Sequence, residues 1–215
     1  MQKVLLDDFV GVEPNVAEKI SHGIDAVSRQ VLNYFGRLRF RIAEVNCHYF
    51  EDNGRFPNNS HLPVLVYRAF LELPKADEAK SVEQTLQQHH WKRSAGPTLA
   101  GFHHYHSTAH KALAIWHGGL SLELGGPGGE KVTLEKGDLI VLPAGTAHRC
   151  LYRSPDLGCT GALPVGQEAD VNYGNPTERP RADRNIRRVT LPLLDPCCGK
   201  DGPLFSRWNI PRISE

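Results

Sequence analysis

Between Gly101 and Leu163 the chain is cut by glycines into short apolar stretches, Ala112–Trp116, Leu120–Leu124, Lys131–Leu134, Leu139–Leu142 and Cys159–Leu163. Stretches this short, separated by turn residues, cannot form helices with a buried face; they pair as strands of a sandwich or closed barrel. In Leu120-Ser121-Leu122-Glu123-Leu124 the three leucines share one face, which fixes the register of that strand against a core. The glycine-rich run GGPGG (125–129) supplies the turn to the next strand.

The flanks read differently. Val16, Ile20, Ile24, Val27, Val31 and Phe35 recur at helical spacing, and Pro14, Asn15 and Glu18 mark the start of a helix over 15–35 with a capping box. The alternation in Arg37–Ile42 suits a strand with one wet face. PNNSHLP (57–63) reads as a turn ahead of an apolar strand, Pro63–Tyr67, and a shorter helix is expected over Asp77–His90 with Ala79, Val82 and Leu86 inward. Beyond Gly166 the chain is polar and proline-rich. It is expected to wrap the barrel, with Trp208 as its anchor. The division that follows is residues 1–45, a helical extension plus first strand, and 46–215, a barrel domain with its tail.

A formal net charge of +1 over 215 residues offers no basic excess for neutralising phosphates, so nucleic acid is not expected as a partner. No apolar run approaches the length of a membrane span, and two aspartates interrupt the N-terminus where a signal peptide would be apolar; a cytoplasmic protein without a membrane partner is expected. Five cysteines, odd in number and irregularly spaced, do not make a disulfide framework, and no CxxC pair suggests structural zinc.

Five of the eleven histidines fall within HHYHSTAHKALAIWH (103–117). His104 and His106 are two residues apart and on a strand point to the same face, close enough to chelate one ion. His103 and Tyr105 then face the other way. A third donor comes from Gly137-Asp138-Leu139-Ile140-Val141-Leu142-Pro143-Ala144-Gly145-Thr146-Ala147-His148, where the PAG turn sets His148 on a new strand. Cys150 shares the face of His148 and is a candidate for the pocket wall.

These segments resemble the two motifs of the cupin superfamily, G(x)5HxH(x)3–4E(x)6G and G(x)5PxGxxH(x)3N. The second is matched at Gly137, Pro143, Gly145 and His148, with Tyr152 at its final asparagine. The first is matched at His104, His106 and Gly118, but the acidic ligand position falls on Lys111, or on His110 if the spacing is one shorter. Over roughly residues 49–208 the chain further resembles uncharacterised bacterial cupins of the YjlB group, through YFEDNGRFPNNSHLPVLVYR, HHYHSTAH, GDLIVLPAGTAHRCL, YGNPTERPRAD and GPLFSRW. The resemblance implies a mainly β, double-stranded β-helix (jelly-roll) barrel that often forms homodimers. It also implies a divalent metal held by His104, His106 and His148, with His110 the substitute fourth ligand.

Neutral imidazoles suit Fe, Mn, Ni, Zn or Cu alike. A three-histidine face with open positions points to a metal-dependent oxygenase acting on a small organic molecule. A non-redox isomerase or lyase is the alternative within the same chemistry. Lys111, an ammonium beside the ligands, favours a non-catalytic binding or sensor barrel, or else anchors an anionic substrate.

Overall fold

The computed structural model describes residues 39–40, 44–74, 76–94, 99–200 and 202–210; the helix expected over 15–35 and most of the strand expected over 37–42 lie outside them. The strands are β1 (Arg39–Phe40), β2 (Val45–Phe50), β3 (Asn59–Tyr67), β4 (Leu71–Glu72), β5 (Trp91–Arg93), β6 (Lys111–His117), β7 (Gly119–Leu124), β8 (Glu130–Glu135), β9 (Leu139–Leu142), β10 (His148–Arg153) and β11 (Gly158–Pro164). Among the described residues three α-helices accompany them, α1 (Glu78–Gln88), α2 (Arg181–Ile186) and α3 (Pro203–Arg207), with one 3-10 turn at Pro176–Glu178.

The larger sheet has the order β2-β3-β9-β6-β11-β5 and the smaller β10-β7-β8. The segment around His104 pairs antiparallel with His148 and so adds a fourth member beside β10. From β5 onward the chain passes between the sheets at every step except the β7–β8 hairpin, which is the winding of a jelly roll. The fold is therefore the mainly β double-stranded β-helix, with β2 and β3 extending one sheet past β9.

Period-two alternation divides the apolar residues between two cores. Leu113, Ile115, Ile140, Leu142, Val64 and Val66 of the larger sheet meet Leu120, Leu122, Leu124, Val132 and Leu134 of the smaller sheet inside the barrel. Ala112, Ala114, Leu139, Val141 and Leu65 face outward and are covered by Val82, Leu86, Trp91, Leu204 and Trp208. The run Leu139–Leu142 is apolar throughout because both of its faces are buried. In α1, Val82 and Leu86 are inward as the spacing requires, while Ala79 is half-buried. Trp208 is 3% exposed and its indole N–H donates to the carbonyl of Pro63 at 2.9 Å.

One expectation needs correction: β3 begins at Asn59, inside the stretch read as turn. The turn contracts to Asn58, which sits in the left-handed region at φ 51°, a conformation asparagine tolerates better than most residues. None of the five cysteines forms a disulfide among the described residues.

The segment ahead of α3 is organised by one buried carboxylate. Asp195 accepts the Tyr67 hydroxyl at 2.8 Å and the backbone N–H groups of Cys197, Cys198 and Leu204 at 2.8, 2.9 and 3.1 Å. Burial pushes its carboxyl above the ordinary value, against the pull of these donors. Asp195→Ala would leave four donors, three of them buried, without this acceptor and is expected to cost about 3 kcal/mol. Urea unfolding should show a lower midpoint at unchanged slope.

Candidate metal centre

The trio forms because a turn and an edge segment are tied together by backbone. His104 and His148 exchange backbone hydrogen bonds at 3.1 and 2.9 Å, and the N–H of Gly145 donates to the carbonyl of His106 at 2.8 Å. Gly145 has φ +95°, and a Cβ there would lie 2.4 Å from the carbonyl oxygen of Asn58, so the PAG turn requires glycine on both counts. Asn58 accepts the Ala147 N–H at 3.0 Å and donates to Gly125, while Asn59 donates to the carbonyl of Ala144 at 2.9 Å. Asn58 and Asn59 thus hold the turn that aims His148.

One donor atom each from His104, His106 and His148 lies within 4.8 Å of the others, and all three residues are buried. Their rings are 4.3 Å (His104–His148), 5.4 Å (His104–His106) and 5.7 Å (His106–His148) apart between centroids. Each Nδ1 is matched to a backbone carbonyl: His104 to Phe102 at 3.1 Å, His148 to Thr146 at 3.0 Å, and His106 to Asp170. An Nδ1–H donated to a carbonyl leaves Nε2 as the lone-pair atom, the arrangement found around metal-bound histidine. His148 Nε2 is buried with no hydrogen-bond partner, which an ion at the trio would satisfy.

Burial, assisted by the charge of Lys111, holds the imidazoles in the neutral form a ligand needs. His106 is lowered to about 4, His148 falls well below the ordinary histidine value, and His104 is lowered too.

Lys111 lies inside the barrel, in step with Leu113 and Ile115, with Nζ 3.5 Å from His106 Nε2. Burial lowers its ammonium to about 8. Of the two residues that compete for the fourth position, the structure brings Lys111 to the trio and not His110. His110 is in step with the outward Ala112 and Ala114; its Nδ1 accepts the Ala144 N–H at 3.0 Å and its ring packs 4.9 Å from Trp208. Moving it inward would need a one-residue slip of β6 that would turn out Leu113 and Ile115 as well. Cys150 is half-buried, pairs with Leu122 and packs against the interior cluster, with its thiol pushed up by burial. His103 faces the opposite side, 2.9 Å from Glu123, and the Tyr105 hydroxyl donates to Glu178 at 3.1 Å.

The residues behind the trio escape motif reading. The 170–172 segment flanks the 104–106 segment on its other edge: Tyr105 and Asn172 exchange backbone hydrogen bonds at 2.9 and 3.0 Å. The Asp170 carboxylate accepts the Ser107 N–H at 2.6 Å, the Ser107 hydroxyl at 2.5 Å and the Asn172 amide at 2.8 Å. Burial alone would raise Asp170, but these bonds outweigh it and hold the carboxyl below its usual range. Glu178 accepts the N–H groups of Tyr173 and Gly174 at 2.7 and 2.9 Å, which gives the tail stretch YGNPTERP a role in closing the back of the site.

No established family profile matches the chain. The uncharacterised protein YjlB of Bacillus subtilis (strain 168) is 34% identical over 165 residues, which span 77% of this chain and 97% of YjlB. Among solved structures, the dTDP-6-deoxy-D-glucose-3,5-epimerase RmlC of Legionella pneumophila aligns over 57% of this chain and 72% of its own, at 15% identity and a TM-score of 0.29. The 2-hydroxyethylphosphonate- and Fe(II)-bound HEPD of Streptomyces albus aligns over 70% of this chain and 28% of its own, at 12% identity and a TM-score of 0.26.

Two expectations follow. Asp170→Ala removes the brace that presents a carbonyl to His106, and metal affinity should fall about tenfold, measured by competition with a chromophoric chelator. Stability should also depend on pH. His106 and His110, both lowered to about 4 by burial, protonate more readily unfolded, near 6.5, so the metal-free protein is unaffected above that value and loses stability as pH falls from 6.5 toward 4. Urea unfolding at pH 7.5 and pH 5 should differ by roughly 2 kcal/mol for each of the two.

Proposed function

Since the chain belongs to the YjlB family and folds as a cupin, we propose that it is a metal-dependent enzyme, an oxygenase acting on a small organic molecule. Nε2 of His104, His106 and His148 would hold one divalent transition-metal ion. The observation that carries this reading is the set of three Nδ1 atoms committed to backbone carbonyls, which turns three Nε2 lone pairs toward one point. When bound, such an ion supplies redox or Lewis-acid chemistry at the positions that three protein ligands leave open. The chain's part is to hold the imidazoles neutral, to fix their direction through Phe102, Thr146 and Asp170, and to enclose the site in an apolar barrel. The same ligand set also serves a non-redox isomerase or lyase, and oxygen consumption separates the two.

A second reading, a ligand-binding barrel without catalysis, is favoured by one contact: Lys111 Nζ reaches the same His106 Nε2 that a metal would use.

Elemental analysis of protein purified without an affinity tag or added metal tests the proposal. About one first-row transition metal per chain is expected, falling below about a tenth in His106→Ala, whose circular dichroism spectrum should stay that of the parent. A parent protein with metal well under one per chain would end the metal reading and leave the binding barrel. Iron with oxygen uptake supports the oxygenase; turnover with zinc or manganese under anaerobic conditions supports the isomerase or lyase.

A further inference from the structure

The proline-rich tail carries a feature that the candidate centre does not use. In RPRADRNIRR (179–188) five of ten residues are arginine and only Asp183 is acidic. Helical hydrogen bonding continues past α2: the N–H of Arg187 donates to the carbonyl of Asp183 at 3.3 Å, and those of Arg188 and Val189 to the carbonyl of Asn185 at 2.8 and 3.1 Å. At about 100° per residue, Ala182, Asn185 and Ile186 fall on one side of this helix and Arg181, Arg184, Arg187 and Arg188 on the other. The first side faces the barrel. Ala182 is buried, the Asn185 amide donates to the Ser107 hydroxyl at 3.0 Å, and Ile186 packs with Phe56, Tyr105 and Ala147. A Cβ at Gly145 would lie 2.9 Å from the Ile186 Cδ1, so the helix sits on the turn that aims His148.

The second side is in water, and all four of its arginines are exposed. The nearest acids are engaged elsewhere: Asp183 and Asp52 pair with Arg179 at 2.9 and 2.5 Å. Among the described residues no carboxylate pairs with Arg181, Arg184, Arg187 or Arg188. Four like charges within about 10 Å of helix repel one another, and an anionic partner relieves that repulsion while gaining charge-assisted hydrogen bonds.

Three observations choose among anionic partners. The formal net charge of the chain is only +1, so the surface beyond these arginines is on balance acidic and repels a nucleic acid or an anionic bilayer that extends past them. Residues 181–188 include no aromatic ring on which a base could stack. Directly after the arginines, Leu191 and Leu193 are 38% and 69% exposed, apolar side chains that a phosphate backbone leaves bare. A short peptide with both carboxylates and large apolar side chains matches all three, and the planar guanidinium fork suits a carboxylate.

We propose that the arginine face of α2 is a docking site for an acidic, leucine-bearing segment of another protein, its carboxylates on Arg181, Arg184 and Arg188 and its apolar side chains against Leu191 and Leu193. The inference is independent of the metal reading.

Fluorescence anisotropy at low salt tests it, with a short labelled peptide of Glu-Glu-Leu repeats beside Gln-Gln-Leu and Glu-Glu-Ser peptides of the same length, an oligothymidylate of equal charge and phosphatidylserine vesicles. The Glu-Glu-Leu peptide should bind about tenfold or more tighter than Gln-Gln-Leu and about threefold tighter than Glu-Glu-Ser. Arg181→Gln/Arg184→Gln/Arg188→Gln should lose about tenfold in affinity for it. Lys80→Gln/Lys131→Gln/Arg153→Gln, the same change of charge at exposed positions elsewhere, should bind as the parent does. Equal affinity of the two triple variants overturns the inference, as does a parent that fails to bind Glu-Glu-Leu or binds it no better than Gln-Gln-Leu or Glu-Glu-Ser. Tighter binding of the oligonucleotide or the vesicles than of the acidic peptide overturns it too. Should the arginine triple variant fail to fold, the peptide comparison on the parent and the single variant Arg184→Glu decide.

Discussion

The backbone pairing between the 104–106 segment and the turn at 143–148 is the constraint on which everything else in this site depends. Side chains two apart on a strand share a face by geometry alone, so His104 and His106 are aligned wherever that segment is extended. Bringing His148 to them demands a specific register, which is set by the reciprocal His104–His148 bonds and by the Gly145 N–H on the carbonyl of His106. Each is a backbone bond, indifferent to the histidine side chains. The scaffold therefore places three imidazoles together without help from an ion. That a Cβ at position 145 would meet the Asn58 carbonyl shows how closely the surrounding chain packs on this turn.

Much of this was legible in the residues. Short strands between glycines marked the barrel, the three leucines of β7 share a face that lies inside it, and the spacing of Pro143, Gly145 and His148 marked the turn. The choice between His110 and Lys111 for the fourth position was not settled by motif spacing, since motif spacing counts residues and β6 counts faces. Leu113 and Ile115 belong to the interior, and Lys111 is in step with them; His110 is one residue out and lands on Trp208. The strand's own pattern contained the answer, because Lys111-Ala112-Leu113-Ala114-Ile115 places its large apolar residues on the lysine's face and its alanines on the histidine's.

What could not be read was the support behind the imidazoles. Asp170 meets His106 through its main-chain carbonyl, 64 residues away along the chain, and a carbonyl has no residue type to signal it. Phe102 and Thr146 likewise hold His104 and His148 by carbonyls, each two residues before the ring it holds. Asn58 and Asn59 looked like turn formers, and Asn58 is one, yet their amides act at a distance on Gly125, Ala144 and Ala147. Contacts of this kind follow from the closed barrel, and only the closed barrel brings residues 51–59, 104–106, 143–148 and 170–178 to one end.

The energetics of that end differ from those of the rest of the molecule. In two other places polarity and burial agree: Leu139–Leu142 is apolar on both faces, and the buried Asp195 is matched by four donors. At the barrel mouth they conflict. Three imidazoles are buried in one cluster, one of them with an unmatched Nε2, and an ammonium is buried beside them. Leucine or methionine at these positions would give a drier, better satisfied interior at no loss of strand pairing, because the pairing is made by backbone. The two cores, built from the opposite faces of the same sheet, offset that local cost. A fold with two such cores tolerates an unsatisfied nitrogen and a buried lysine at one end.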